Sequence, residues 1–351
     1  MRFLLAAPIL IASLGSPLPA QDVQVPAFTL PPSNQLSAEA KQILMRMKEE
    51  SAPKDIGSDL AKQRAFYQAW NDRRLAEMRS RFATRSERET IGGVAVDVVT
   101  PEEGVAPANA NRVLINVHGG AFMWGSGSGA LVEAIPIAAT MKVKVVTVDY
   151  RLTPENRYPA ASEDVTAVYR ALLGQYRPEN IGIYGCSAGG VITAQATAWI
   201  RGQGLSPPGA IGTFCGTGAA YSGDSPFLAG PITGGDAQAV PALPPTIPNP
   251  YMAGASPQDA RAYPLGSDAE IKAMPPTLLL AGGRDFAVSA LTLAHRRLTA
   301  AGVESQLQLF DGLPHAFFMW PDMPESIEAY RLIAGFFDRH LGTNPLKRND
   351  R

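Results

Sequence analysis

The chain has 351 residues, 46% of them apolar, enough to bury the core of one large α/β domain or of two small ones. Its 31 basic and 32 acidic side chains leave a formal charge of -1, which argues against a general nucleic-acid binder, since such a protein carries a basic surface. No 18-residue apolar span lies in the body of the chain, which argues against a membrane-spanning protein.

Residues 1–20 read as a secretory signal. Arg2 supplies the positive start, Phe3 to Leu14 the short apolar core, and small residues follow up to Ala20. The competing reading is a membrane-surface helix. Cleavage would start the mature protein near Gln21, in the periplasm or outside the cell, and no cysteine near the cut indicates a lipid anchor. Residues 21–36 are Pro-rich and extended. From Ser37 to Arg88 the pattern is helical, with Leu60, Phe66, Tyr67, Trp70, Leu75 and Met78 forming an apolar stripe between charges. Such a stripe packs on its own domain more often than on a membrane.

After Arg88 the period changes. "VAVDVVTP" alternates as a half-buried strand does, and short β-rich runs recur at 112, 143, 180, 210, 276 and 305. Helix-length segments such as "SEDVTAVYRALLG", "AVSALTLAHRRLTAAG" and "ESIEAYRLIAGFFDRHL" separate most of them. Apolar strands alternating with helices predict an α/β fold with a mostly parallel sheet covered on both faces. Residues 217–258 break the alternation. They are rich in Gly, Pro and Ser, and their place between two strands suggests a lid or substrate-binding insertion.

Two cysteines, Cys186 and Cys215, make neither a disulfide scaffold nor a four-thiolate metal site. Each ends one of two successive strands, so a disulfide between them is conceivable; two buried thiols are the simpler reading. The four histidines show no HExxH spacing, which excludes a zincin.

The chemistry concentrates at Gly185-Cys186-Ser187-Ala188-Gly189, a G-x-S-x-G between a strand and a helix. A sharp turn there admits only small neighbours and lifts the serine hydroxyl above the carboxyl edge of the sheet. Ser187 as a plain helix N-cap is the alternative, favoured only if no partners exist. A nucleophilic serine needs a base, and the base an orienting acid. Downstream, His295 lies in a helix body and His340 at a helix end, whereas His315 sits in "FDGLPHAFF", a turn just past a strand. Asp285 follows "PTLLLAGGRD" at another strand's carboxyl end. Asp311 is its rival but shares a loop with His315, and Glu304 belongs to the opposite edge. "INVHGGAF" places Gly119 and Gly120 after a strand, where free N–H groups can face a developing oxyanion beside that of Ala188. By itself the His-Gly-Gly run is equally a tight turn.

Taken in order, HGGAF, VDYRLTPENRYPAASED, GCSAGG, GGRD and PHAFF resemble the hormone-sensitive-lipase-like branch of the α/β-hydrolase family, from about residue 90 to 340. The resemblance implies an α/β-hydrolase catalytic domain (89–345) and an N-terminal segment with cap helices (21–88). It also implies carboxylic-ester hydrolysis, usually of short-acyl esters, without metal or cofactor. Carried over by position, the nucleophile is Ser187, the acid Asp285 and the base His315, with oxyanion donors Gly119, Gly120 and Ala188. Two departures stand out: Cys186 where the family often has Asp, and Ala121 where a third glycine is common, although alanine keeps its amide and leaves donation by a third N–H open. A lactonase or amidase would use the same triad, and a non-catalytic ligand-binding relative would be expected to have lost it. Phe122 and Trp124 are candidates for an apolar substrate pocket, or else core. The expected partner is a small-molecule ester, with no stable membrane insertion; a homodimer is left open.

Overall fold

The computed structural model describes residues 29–232 and 249–342. The chain divides into two compact units, residues 1–31 and 32–351, and all described helices and strands fall in the second. The expected signal segment, 1–20, lies outside the described residues, as does the centre of the expected insertion, 233–248. No helix among the described residues is long and apolar enough to cross a membrane.

Two helices come first, α1 (Ala38–Glu49) and α2 (Leu60–Arg81). Ser37 and Asp59 cap them, their side chains accepting from the N–H groups of Ala40 and Lys62. The helical reading through Arg88 is too long. After α2 the chain forms strand β1 (Thr84–Ile91), antiparallel to β2 (Val94–Pro101). Gly92 and Gly93, at φ 62° and 82°, make a two-residue turn that is left-handed at both positions, as a tight hairpin requires. Pairing with the apolar β2 outweighs the helix-like charge pattern of β1, which forms the sheet's exposed edge.

The elements that follow keep the expected alternation: β3 (Val113–Val117), α3 (Ser128–Met141), β4 (Lys144–Val148), α4 (Ala160–Leu172), β5 (Ile181–Cys186), α5 (Ala188–Gly202), β6 (Ala210–Phe214), α6 (Ser225–Ile232), α7 (Asp268–Lys272), β7 (Thr277–Gly282), α8 (Val288–Ala300), β8 (Ser305–Phe310) and α9 (Pro324–His340). Eight described strands form one sheet in the order β1-β2-β4-β3-β5-β6-β7-β8, parallel from β4 to β8.

Strand periodicity divides the core between the two faces. In β3, Leu114 points to the cluster shared with α1, α2, α3 and α9, while Val113, Ile115 and Val117 point to that of α4, α5 and α8. Trp70, Leu75 and Met78 of the α2 stripe belong to the first cluster, so that part of the helix packs on its own domain.

The register then sets where the chemistry can be. Val117 pairs with Gly185, Cys186 with Phe214, and Phe214 with Leu280. The carboxyl ends of β3, β5, β6 and β7 therefore stand level. Backbone bonds continue just past the strands, from Ser187 N–H to Phe214 O (2.7 Å) and from Cys215 N–H to Leu280 O (2.8 Å).

Candidate active site

Ser187 joins β5 to α5 at φ 57° and ψ -121°, a left-handed conformation that costs a non-glycine residue about 1–3 kcal/mol. Its neighbours are small because β3 runs against them. A Cβ would stand 2.2 Å from Val117 O at Gly185 and 1.8 Å from it at Gly189. The serine side chain makes no cap hydrogen bond to α5, so the N-cap reading fails, and the residue is half-buried rather than enclosed.

The loops after β7 and β8 bring Asp285 and His315 together. His315 Nδ1 lies 2.9 and 3.0 Å from the two carboxylate oxygens of Asp285. Asp285 is 1% exposed, and its Oδ1 also accepts from Ala287 N–H at 2.8 Å. The rival Asp311 instead accepts from Ser33 Oγ. The Glu304 carbonyl pairs with Thr277 N–H at the amino ends of β7 and β8, on the opposite edge. His295 faces Ser305 Oγ at 3.0 Å, a structural contact. At His340, on α9 and far from Asp285 in the chain, burial pushes the imidazole pKa down, and its Nε2 lies 3.3 Å from Glu304 Oε1. The His315 ring stacks on Phe286, with centroids 4.4 Å apart.

The oxyanion loop requires a correction. Gly119 is buried and its N–H donates to Glu133 Oε1 at 2.7 Å, so that amide is not available to a substrate. The next residues, Gly120 (φ 117°) and Ala121 (φ 52°), turn outward, and no described acceptor takes their N–H groups. The Ala188 N–H opens α5, where a helix leaves its first amides unpaired.

Phe122 is also corrected. Continued left-handed backbone (φ 65°) turns its ring inward, where it is 4% exposed and stacks on Tyr251 at 4.6 Å. Trp124 stacks on Tyr67 of α2 at 4.3 Å. Neither lines the described cavity of about 310 Å³, whose walls include Val191, Gln195, Tyr221 and Met252. Val191, one helical turn from Ser187, and Gln195 lie on α5, and the cavity's other walls come from the two described ends of the expected insertion and from Ala262 and Tyr263 just past it.

Sequence reasoning missed what holds this loop. Tyr150 Oη donates to His118 O (2.9 Å), Arg64 Nε of α2 to Met123 O (2.9 Å), and Thr153 N–H to Phe122 O (2.8 Å). The other holder, Glu133, had one visible signal: it is the only charge in the apolar run "GALVEAIPIAATM".

Cys186 and Cys215 are free, buried thiols. Donor atoms of Cys215, Asp285 and His315 lie within 4.8 Å of one another. Burial pushes the Cys215 thiol up to about 11, so it stays protonated and is a poor metal ligand at neutral pH. The trio therefore reads as an acid–base pair with a thiol beside it.

Residues 114–319 match the sequence pattern of the alpha/beta hydrolase fold family, more than half of the chain. The chain belongs to that family. Among other members, it is 31% identical to esterase LipU of Mycobacterium tuberculosis, over 68% of this chain and 82% of that one. A shorter match at 36% identity covers 38% of this chain and 42% of the acetyl-hydrolase LipR of the same organism. Among solved structures, esterase E25 superposes with a TM-score of 0.76 at 29% identity, covering 92% of this chain and 99% of that one. An esterase of the bacterial hormone-sensitive lipase family superposes at 0.72 and 25% identity, over 87% and 99%. This alpha/beta hydrolase is of the hormone-sensitive-lipase-like branch, within the carboxylic-ester hydrolases.

Proposed function

We propose that this alpha/beta hydrolase cleaves short-acyl carboxylic esters through an acyl-enzyme on Ser187. The observation that carries the reading is the pairing of half-buried His315 with buried Asp285 on the same sheet edge as a strained, uncapped serine. Ser187 Oγ attacks the ester carbonyl carbon while His315 takes its proton, and Asp285 holds the imidazole tautomer and balances its charge. The tetrahedral oxyanion sits against the N–H groups of Gly120, Ala121 and Ala188, each typically lowering the barrier by about 3 kcal/mol. The alcohol leaves with a proton from His315, and water then repeats the attack on the acyl group.

The acyl preference rests on the modest cavity beyond Val191 and on relatives named acetyl-hydrolases. Residues 217–258 would serve as its substrate-binding wall, and 21–88 as a cap segment, through α2 and its Arg64 and Tyr67 contacts with the oxyanion loop. Turnover of p-nitrophenyl esters from acetate to laurate tests the preference. It should peak at the short end; a laurate optimum would contradict it. We also propose export, on the character of residues 1–20. Protein from the native host should begin near Gln21, and an intact Met1 would refute this.

A further inference from the structure

We propose that Glu133 is a positioning residue for ester hydrolysis: one buried carboxylate ties the oxyanion loop to the nucleophile elbow, and its ionisation switches that tie on. The inference rests on the serine-hydrolase reading of Ser187. Glu133 projects from α3 and is 6% exposed. Its Oε1 accepts from Gly119 N–H at 2.7 Å. Its Oε2 accepts from Asn116 Nδ2 of β3 at 3.2 Å and from Cys186 N–H at 3.3 Å. Gly119 immediately precedes the oxyanion donors, and Cys186 immediately precedes the nucleophile. A single side chain thus spans the two loops whose separation sets the attack geometry. Asn116 is itself fixed, its Oδ1 accepting from Thr147 Oγ1 at 2.7 Å.

Every polar partner of this carboxyl group is an N–H donor. Such a shell suits the ionised acid, which is acceptor-only; a protonated oxygen would lose one acceptor site. Burial acts the other way and pushes the pKa up to about 7, against those three donors. The opposing effects leave the tie complete above neutrality and loosened below it. The other titratable groups around it are buried or engaged by partners of their own. Tyr184 Oη donates to the Glu133 carbonyl, Tyr150 holds His118 O, and burial keeps both phenols and the Cys186 thiol neutral. His118, stacked on Tyr150, has its pKa lowered by burial, with its Nδ1 at 2.7 Å from Gly119 O. Asp149, at the end of β4, is paired with Arg88. On α2, packed against α3, the charged Arg74 is turned to Glu50 and Glu77.

The test is the pH dependence of kcat and KM for p-nitrophenyl acetate in wild type and Glu133→Gln, with the rate of organophosphate labelling of Ser187 in both. Gln presents an NH₂ where Gly119 or Cys186 needs an acceptor. The expected result is a kcat drop of roughly ten- to a hundredfold with KM changed less than about threefold. Labelling should still occur, but more slowly. Wild type should show a deprotonation near neutrality on its acid limb that the variant lacks. A Glu133→Gln enzyme with wild-type kcat and an unchanged profile would overturn the proposal. A wild type that takes no label would instead overturn the serine reading. Should the variant fail to fold, Asn116→Ala decides: removing one donor to the carboxylate must move the near-neutral wild-type step to higher pH, and an unmoved acid limb refutes the idea.

Discussion

Gly125 offers a way to disturb the oxyanion loop without touching any group that meets substrate. It lies at φ 105°, directly behind the loop. A Cβ there would stand 2.3 Å from Gly119 O and 2.7 Å from His118 Nδ1, where real Cβ atoms stop near 3.0 Å. The loop must therefore yield by roughly 0.7 Å, and the contact between His118 Nδ1 and Gly119 O is forced open. A misplacement near 1 Å can cost about a hundredfold in rate, so Gly125→Ala should lower kcat by roughly ten- to a hundredfold. The φ of 105° adds about 1–3 kcal/mol of backbone strain, visible as a lower Tm. Gly127→Ala is the control. Its φ is 69° but nothing stands within 4 Å of the added Cβ, so it should lose stability while keeping kcat. Steady-state kinetics on p-nitrophenyl acetate and thermal denaturation of both variants give the answer. A folded Gly125→Ala enzyme within twofold of wild-type kcat would refute the view that the backbone of Gly119 to Ala121 must be held in place.

Three further outcomes follow from the same geometry. Asp285→Asn should cut turnover by about four orders of magnitude by admitting the wrong imidazole tautomer, whereas Asp311→Asn, whose partner is Ser33, should change it little; reversed effects in a side-by-side assay would reassign the acid. Arg74, 1% exposed, lies 3.7 Å over the Trp320 ring and bridges Glu50 and Glu77, so Arg74→Ala should cost about 3 kcal/mol in denaturant unfolding, and a loss under 1 kcal/mol would contradict that role. Glu133 has a folded pKa of about 7, above its ordinary 4.5, so its stabilising contribution is present below pH 4.5 and lost as pH rises to about 7. Relative to Glu133→Gln, wild type should therefore lose about 3 kcal/mol across that interval, and a pH-independent difference would refute the shift.

The sheet and the Asp285–His315 pair were legible because each had a local signature. Strand-length apolar runs marked β2 to β8, and Ser187, Asp285 and His315 each followed such a run within a small-residue turn. β1 was not legible. "TRSERETI" has the charge of a solvated helix, and only its pairing with β2 makes it a strand. Gly119 was misread as a free amide for a similar reason. Gly119 and Gly120 look alike in sequence, but a carboxylate arriving from α3 consumes the first amide and leaves the second and third outward. Phe122 was ambiguous between pocket and core until the left-handed turn at Ala121 set its direction.

The central claim is that Ser187 is the nucleophile, and an organophosphate reagent followed by peptide mass mapping tests it most directly. The account predicts a single stoichiometric adduct on Ser187, with esterase activity falling in step, and neither adduct nor turnover in Ser187→Ala. Activity within tenfold of wild type in Ser187→Ala, or inactivation with the adduct on another residue, would contradict it.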